Sequence, residues 1–183
     1  HPDVTFDIQQ SDSSGVLHAL RTGRFDLGLT GMAAPDEDLV FTPLYQDAMV
    51  LIAPNTPEFS AAKAQNMPLA ALLQSHPLLL RENGSGSQRS ADDFLRAAGL
   101  EPDALRIAAR LNDQESIKNL VAAGLGLAIV SAVSVARERG RGDLLVFPLS
   151  GAARTFYVVT RKNDYFRPAA RQFFDFAAQF YHT

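Results

Sequence analysis

Short apolar runs alternate along this chain with stretches of helical periodicity that end in glycine, and this order constrains the fold more than any other feature. Residues 78–81, 105–111, 127–131, 144–149 and 156–160 read as strands. Helices are expected near 88–98, closed by Gly99, and over about 114–123, closed by Gly124, with a short helix running to Glu138. A last helix is expected over 168–181, with Pro168 in its first turn and Phe173, Phe174, Ala177 and Phe180 on its buried face. Strands separated by a helix return by a crossover, which favours parallel pairing and puts working loops at the strands' C-terminal ends. The fold class is therefore α/β.

The first part of the chain follows the same grammar. Residues 4–10 alternate apolar and polar side chains like a half-buried strand, the serines and aspartate of 11–14 offer N-caps, and Val16, Leu17 and Leu20 mark a helix over 14–22. A buried strand over 25–30 completes a βαβ reading, with loops at 9–14 and 30–33. Two strands, 41–44 and 48–53, come next, and Pro54 stops the second. Residues 55–65 read as a connector and 68–73 as a short amphipathic turn. The simplest account is two Rossmann-like lobes, the second inserted in the first: 1–54 with 155–183, and 55–154, with a ligand cleft between them.

Composition narrows the function. With 183 residues, 46% apolar and 20% charged, the chain can build one ordinary domain or two small lobes, which excludes collagen, disorder and a membrane protein. Its longest uncharged, largely apolar stretch, 120–136, falls short of the roughly twenty residues a bilayer span needs. A net charge of −3 offers a polyanion no general attraction, so nucleic-acid binding by this chain itself is not expected. The absence of cysteine removes disulfides, a thiolate nucleophile and Cys-ligated zinc or iron–sulfur sites. The chain starts His1-Pro2-Asp3 without Met or a leader pattern, and is expected to be a fragment or a processed product.

Three turns carry groups able to hold a ligand. Gly84-Ser85-Gly86-Ser87 precedes a helix, where backbone N–H groups, the helix dipole and two hydroxyls suit a carboxylate, sulfate or phosphate, and Arg81 and Arg89 flank it. The same residues also fit a plain helix cap and tight turn. Asn112, Asp113 and Gln114 open the next helix, where Asn112 and Glu115 fit a capping box and the carboxylates would oppose a bare anion. Thr30 and Gly31 close a buried strand and offer a hydroxyl and a close N–H, or simply end the strand. His18 and His76 lack metal-ligand spacing, His1 and His182 are terminal, and no metal site is read. Neither a nucleophile elbow, a Walker lysine nor an acid–base pair stands out, so no catalytic residue or cofactor is expected.

The ordered pieces resemble a known family. His1-Pro2-Asp3-Val4, then Leu20-Arg21-Thr22-Gly23-Arg24-Phe25-Asp26-Leu27-Gly28-Leu29, then Pro43-Leu44 and Leu51-Ile52-Ala53-Pro54 are followed by Arg81-Glu82-Asn83-Gly84-Ser85-Gly86-Ser87. After these, 117–121 leads into Ala123-Gly124-Leu125-Gly126-Leu127-Ala128-Ile129-Val130. This series is similar, over essentially all 183 residues, to the effector-binding domain of bacterial LysR-type transcriptional regulators. The Arg81–Ser87 loop looks most like the branch concerned with cysteine and sulfur or selenium metabolism.

The resemblance implies a periplasmic-binding-protein type 2 fold and a small, anionic effector held in the interlobe cleft without turnover. It places Thr30, Gly31, Arg81, Gly84, Ser85, Gly86, Ser87, Asn112, Asp113 and Gln114 on that cleft. Homodimers or homotetramers would pair through helices 14–22 and 114–123, and DNA would be met only by an absent winged helix-turn-helix domain, in the cytoplasm and away from membranes. The family pattern also implies that about twenty residues, a first strand and helix, are missing. The alternatives are an extracytoplasmic solute-binding protein for a small oxyanion or carboxylate, and an enzyme on this fold such as a prephenate-dehydratase-like lyase.

Overall fold

The computed structural model describes residues 2–162 and 167–181. Along the chain the elements are α1 (Ser13–Arg21), β1 (Gly28–Thr30), β2 (Leu39–Pro54), α2 (Pro57–Ala64), α3 (Leu69–Ser75), β3 (Leu78–Arg81) and α4 (Gly86–Ala97). After these come β4 (Ile107–Leu111), α5 (Gln114–Ala122), β5 (Ala128–Ser131), α6 (Ala136–Arg141), β6 (Leu144–Arg161) and α7 (Pro168–Tyr181), with 3-10 turns at Pro102–Ala104 and Val133–Val135. The chain divides into two compact units, one of His1–Gln46 with Thr155–Thr183 and one of Asp47–Arg154. Both crossings fall inside strands, β2 and β6, where the sequence suggested a first crossing near 53–55.

The second unit is a sheet covered on both faces. β3 and β4 pair in parallel with Arg81 opposite Leu111, Leu78 bridges in parallel to Leu127, and β5 pairs antiparallel with β2, Leu51 opposite Ile129. Successive residues of β2 and β3 point to opposite faces, so Leu51, Leu78 and Leu80 join one core with Leu72 and Leu95, while Ile52 and Leu79 join another with Ile117 and Val121. Burial on both faces is why these strands read as unbroken apolar runs. Gly99 and Gly124 end α4 and α5 with φ of +74° and +85°, a region open to glycine at little cost.

In the first unit, β1 pairs antiparallel with β6, Leu29 opposite Val158. Val159 packs with Leu17 and Leu20 of α1, and its neighbour Val158 packs with Ala177 of α7. Asp12 accepts from Gly15 N at 2.8 Å and caps α1.

Several sequence expectations are corrected. Residues 4–10 form no strand: alternation needs a paired neighbour, none of the described strands pairs with them, and Phe6 and Ile8 are exposed. The βαβ reading of the first residues fails with it, since β1 covers only 28–30 and pairs antiparallel. The expected connector 55–65 contains α2, opened by Pro57 at its first turn, and the turn 68–73 lies largely within α3. Strands 41–44 and 48–53 are one strand, as are 144–149 and 156–160. Asp47 and Arg154 fall in the gaps between the expected strands, and each is buried within its continuous strand, paired with the other. Phe180, expected inside, is 61% exposed, and Ala177 is buried. The expected helix at 88–98 starts two residues early, at Gly86.

Candidate ligand site at the strand ends of the second unit

Parallel pairing brings the C-terminal ends of β3 and β4 side by side, so the turns opening α4 and α5 are neighbours. Arg81 joins them. Its Nε and Nη2 donate to Glu82 at 2.8 and 2.9 Å, and Nη2 also reaches the Asn112 carbonyl at 3.3 Å. The guanidinium is thus directed at a carboxylate, and its hydrogen bonds hold the Glu82 carboxyl below its ordinary range.

At the start of α4, Gly84 turns the chain with φ +91°, and Ser85 is the N-cap. Gly86 and Ser87 lie inside the first helical turn and not in a preceding loop. Ser85 is 5% exposed, yet its hydroxyl caps nothing and has no hydrogen-bond partner among the described residues. The N–H groups of the first turn have no carbonyl of their own helix to meet, so an acceptor placed here meets oriented donors at the positive end of the dipole. Gln88 braces the turn, accepting from Arg81 N at 2.8 Å and donating to Asp92 at 2.7 Å.

The expected capping box at α5 is corrected. Asp113, not Asn112, is the N-cap, accepting from Glu115 N and Ser116 N at 3.3 and 2.7 Å and from the Ser116 hydroxyl at 2.7 Å. Donation from Ser116, side chain first and then backbone, holds the Asp113 carboxyl below its ordinary range. Asn112 is exposed and contributes its carbonyl to Arg81, and Gln114 donates to Ser134 Oγ at 2.5 Å.

Thr30 and Gly31 belong to the first unit. Thr30 is 2% exposed, and its hydroxyl both accepts from Met32 N and donates to Met32 O, closing a small turn at the end of β1. Gly31 is half-buried beside it.

Sequence reading missed a buried ionic network behind these turns. Arg154 donates from Nε to Asp47 Oδ2 at 3.0 Å and from Nη1 to Ser87 Oγ at 2.7 Å, and Ser131 Oγ donates to Asp47 Oδ1 at 2.9 Å. Ser131 also ends β5, where its carbonyl accepts from the Ser134 hydroxyl at 2.7 Å. No local pattern announces a partner 107 residues away. Among the described residues, no group of three or more His, Asp or Glu is placed to hold a metal ion, and no helix is long and apolar enough to cross a membrane. His1 and His182 lie outside the described residues.

The LysR substrate binding domain model matches residues 1–181. A probable RuBisCO transcriptional regulator from Cyanophora paradoxa is 30% identical over 178 residues, covering 94% of this chain and 54% of that protein. The chain spans about half the length of the curated relatives it matches. Among solved structures, the effector binding domain of QuiR in complex with shikimate superposes with a TM-score of 0.79 at 21% identity, over 100% of this chain and 84% of that one. The Synechocystis CcmR regulatory domain in complex with 2-PG gives 0.80 at 22% identity, over 99% and 85%. These two likenesses establish the fold, the two-lobed α/β architecture of the periplasmic-binding-protein type 2 class. With the family model matched over residues 1–181, the chain belongs to the LysR substrate-binding domain family.

Proposed function

We propose that this chain is the effector-sensing part of a LysR-type transcriptional regulator. It binds a small anionic metabolite at the strand ends of the second unit and passes that signal to a winged helix-turn-helix domain, which contacts DNA. The ligand leaves unchanged, since the function asked of this site is recognition. The observation that carries the reading is the start of α4: Ser85, a buried residue whose hydroxyl has no hydrogen-bond partner among the described residues, beside first-turn N–H groups. Gly84, Gly86 and Ser87 shape that start, and Arg81, Asn112, Asp113 and Gln114 border it. Thr30 and Gly31 are proposed as ligand-contacting residues of the first unit.

Family membership favours this reading over a solute-binding protein or a lyase. We assign the regulator to the cytoplasm, where its DNA is, and expect α1 and α5 to pair between copies in dimers or tetramers. The site is tested by titrating the chain calorimetrically with shikimate, 2-PG and benzoate, the ligands of three structural neighbours, and with sulfate. At least one should bind, and the Ser85→Ala, Ser87→Ala double variant should bind it about tenfold more weakly or worse while remaining folded by circular dichroism. Unchanged affinity would reduce both serines to parts of the turn.

A further inference from the structure

Ser87 differs from the other serine of α4. Ser90 sits one turn in and donates its hydroxyl proton back to the Gly86 carbonyl at 3.1 Å, as helical serines commonly do. Ser87 is in the first turn, where no helical carbonyl lies behind it. Its oxygen instead accepts from Arg154 Nη1 at 2.7 Å, a charge-assisted bond, and Ser87 is 9% exposed. A hydroxyl has one proton to give. That of Ser87 meets no acceptor among the described residues.

The guanidinium that approaches Ser87 is itself fixed. Arg154 is 8% exposed and bound through Nε and Nη2 to Asp47, which is 1% exposed and also accepts from Ser131. A buried ion pair gives little net stability over an apolar replacement, so its presence calls for another role. Asp47 neutralises the arginine, and the residual effect on Ser87 is directional: one lone pair is occupied by a cationic donor, which makes the hydroxyl a poorer acceptor and a better donor.

From this geometry we infer that Arg154 is a positioning residue of the ligand site, holding the Ser87 hydroxyl so that it is biased to donate and so favouring an unprotonated oxygen, of a carboxylate, sulfate or phosphate group, at the start of α4. The inference rests on the proposed ligand site and adds to it the chemistry of the group accepted there. It also explains how two ionised carboxylates, Glu82 and Asp113, can border an anion site, because the donors that face the ligand are hydroxyl and N–H groups fixed from behind.

The test measures binding of sulfate, inorganic phosphate and acetate to the full chain by calorimetry, with stability and far-UV circular dichroism recorded for each variant. Arg154→Gln should weaken the tightest of the three by about tenfold, the scale of one charge-assisted hydrogen bond. Arg154→Lys, which keeps a cationic donor, should restore most of that loss. In a Ser87→Ala background the same Arg154→Gln change should alter affinity by less than about twofold, because its effect passes through the missing hydroxyl. If Arg154→Gln fails to fold, Asp47→Asn with Arg154→Gln removes both charges together and takes its place. An equal loss with and without Ser87 would overturn the inference and leave the ligand site standing, as would undiminished binding by Arg154→Gln. Failure of the unsubstituted chain to bind any of the three would remove the anion site itself and this inference with it.

Discussion

Lys118 Nζ lies 2.6 Å from Glu138 Oε1 and 2.8 Å from Glu115 Oε1, an ammonium from the middle of α5 that reaches α6 and also donates to the Ser134 carbonyl at 2.9 Å. Lys118 is only 5% exposed, so these three acceptors stand in for its water. Replacing it with Met would leave Glu138 and the carbonyl facing an apolar chain. Lys118→Met is expected to lower unfolding free energy by about 2–3 kcal/mol in urea titrations, and Lys118→Met with Glu138→Leu to recover most of it.

The same pair sets a pH dependence. Hydrogen bonding to Lys118 holds the Glu138 carboxyl below its ordinary value of 4.5. Burial works against the Lys118 ammonium, but its bonds to Glu115 and Glu138 outweigh this and raise it above 10.5. A depressed carboxyl stabilises the fold above its unfolded value, and that contribution is lost as pH falls through the folded one; a raised amine loses its contribution as pH rises through its folded value. Thermal stability should therefore be flat between about pH 5 and 10 and fall on the acid side, with a shallower acid limb in Glu138→Gln. An acid limb as steep in Glu138→Gln as in the parent would assign it to other carboxylates.

Asp113 offers a local test at the opening of α5. Its carboxylate satisfies two N–H groups of the first turn, so Asp113→Ala should cost about 1 kcal/mol and Asp113→Asn much less. Hydrogen exchange at Glu115 and Ser116 should accelerate in the alanine variant before exchange in β3 or β4 does.

Two glycines should respond to alanine with opposite signs. A Cβ on Gly126 would stand 2.4 Å from the Pro77 carbonyl oxygen, and that carbonyl accepts from Leu127 N at 2.8 Å, so neither strand can yield. Gly126→Ala is expected to destabilise by about 2 kcal/mol or more. Gly140, within α6, has nothing within 4 Å, and Gly140→Ala should stabilise by about 0.5–1 kcal/mol. Melting temperatures of the two variants against the parent decide both.

The second unit was largely legible because its signals are local. The apolar run at Leu78–Arg81, the glycine stops after α4 and α5 and the serine-glycine start of α4 each announce themselves within a few residues. The errors arose where local signals were thin or misleading. In α2 only Phe59 and Ala62 are buried, too few to show a period, although Pro57 and Glu58 at one end and Lys63 at the other carry the usual terminal marks. Residues 4–10 have a strand's alternation without a strand's partner. The candidate site divides in the same way: Ser85 and Ser87 are visible in the sequence, whereas Arg154, which holds Ser87, comes from 67 residues further on and becomes recognisable only when the chain has closed.

The first unit is sewn from segments on either side of the second, with Gly28 opposite Val159 and Leu29 opposite Val158. During synthesis, β1 emerges before the whole second unit and its partner β6 is completed after it. At the usual pace of translation that is an interval on the order of ten seconds, in which the second unit can fold as a closed stretch of chain while the apolar side chains of α1 and β1 have no sheet to join. Order of birth and order of folding are therefore expected to be inverted between the two units: β1 is made before the second unit and finds its sheet after it.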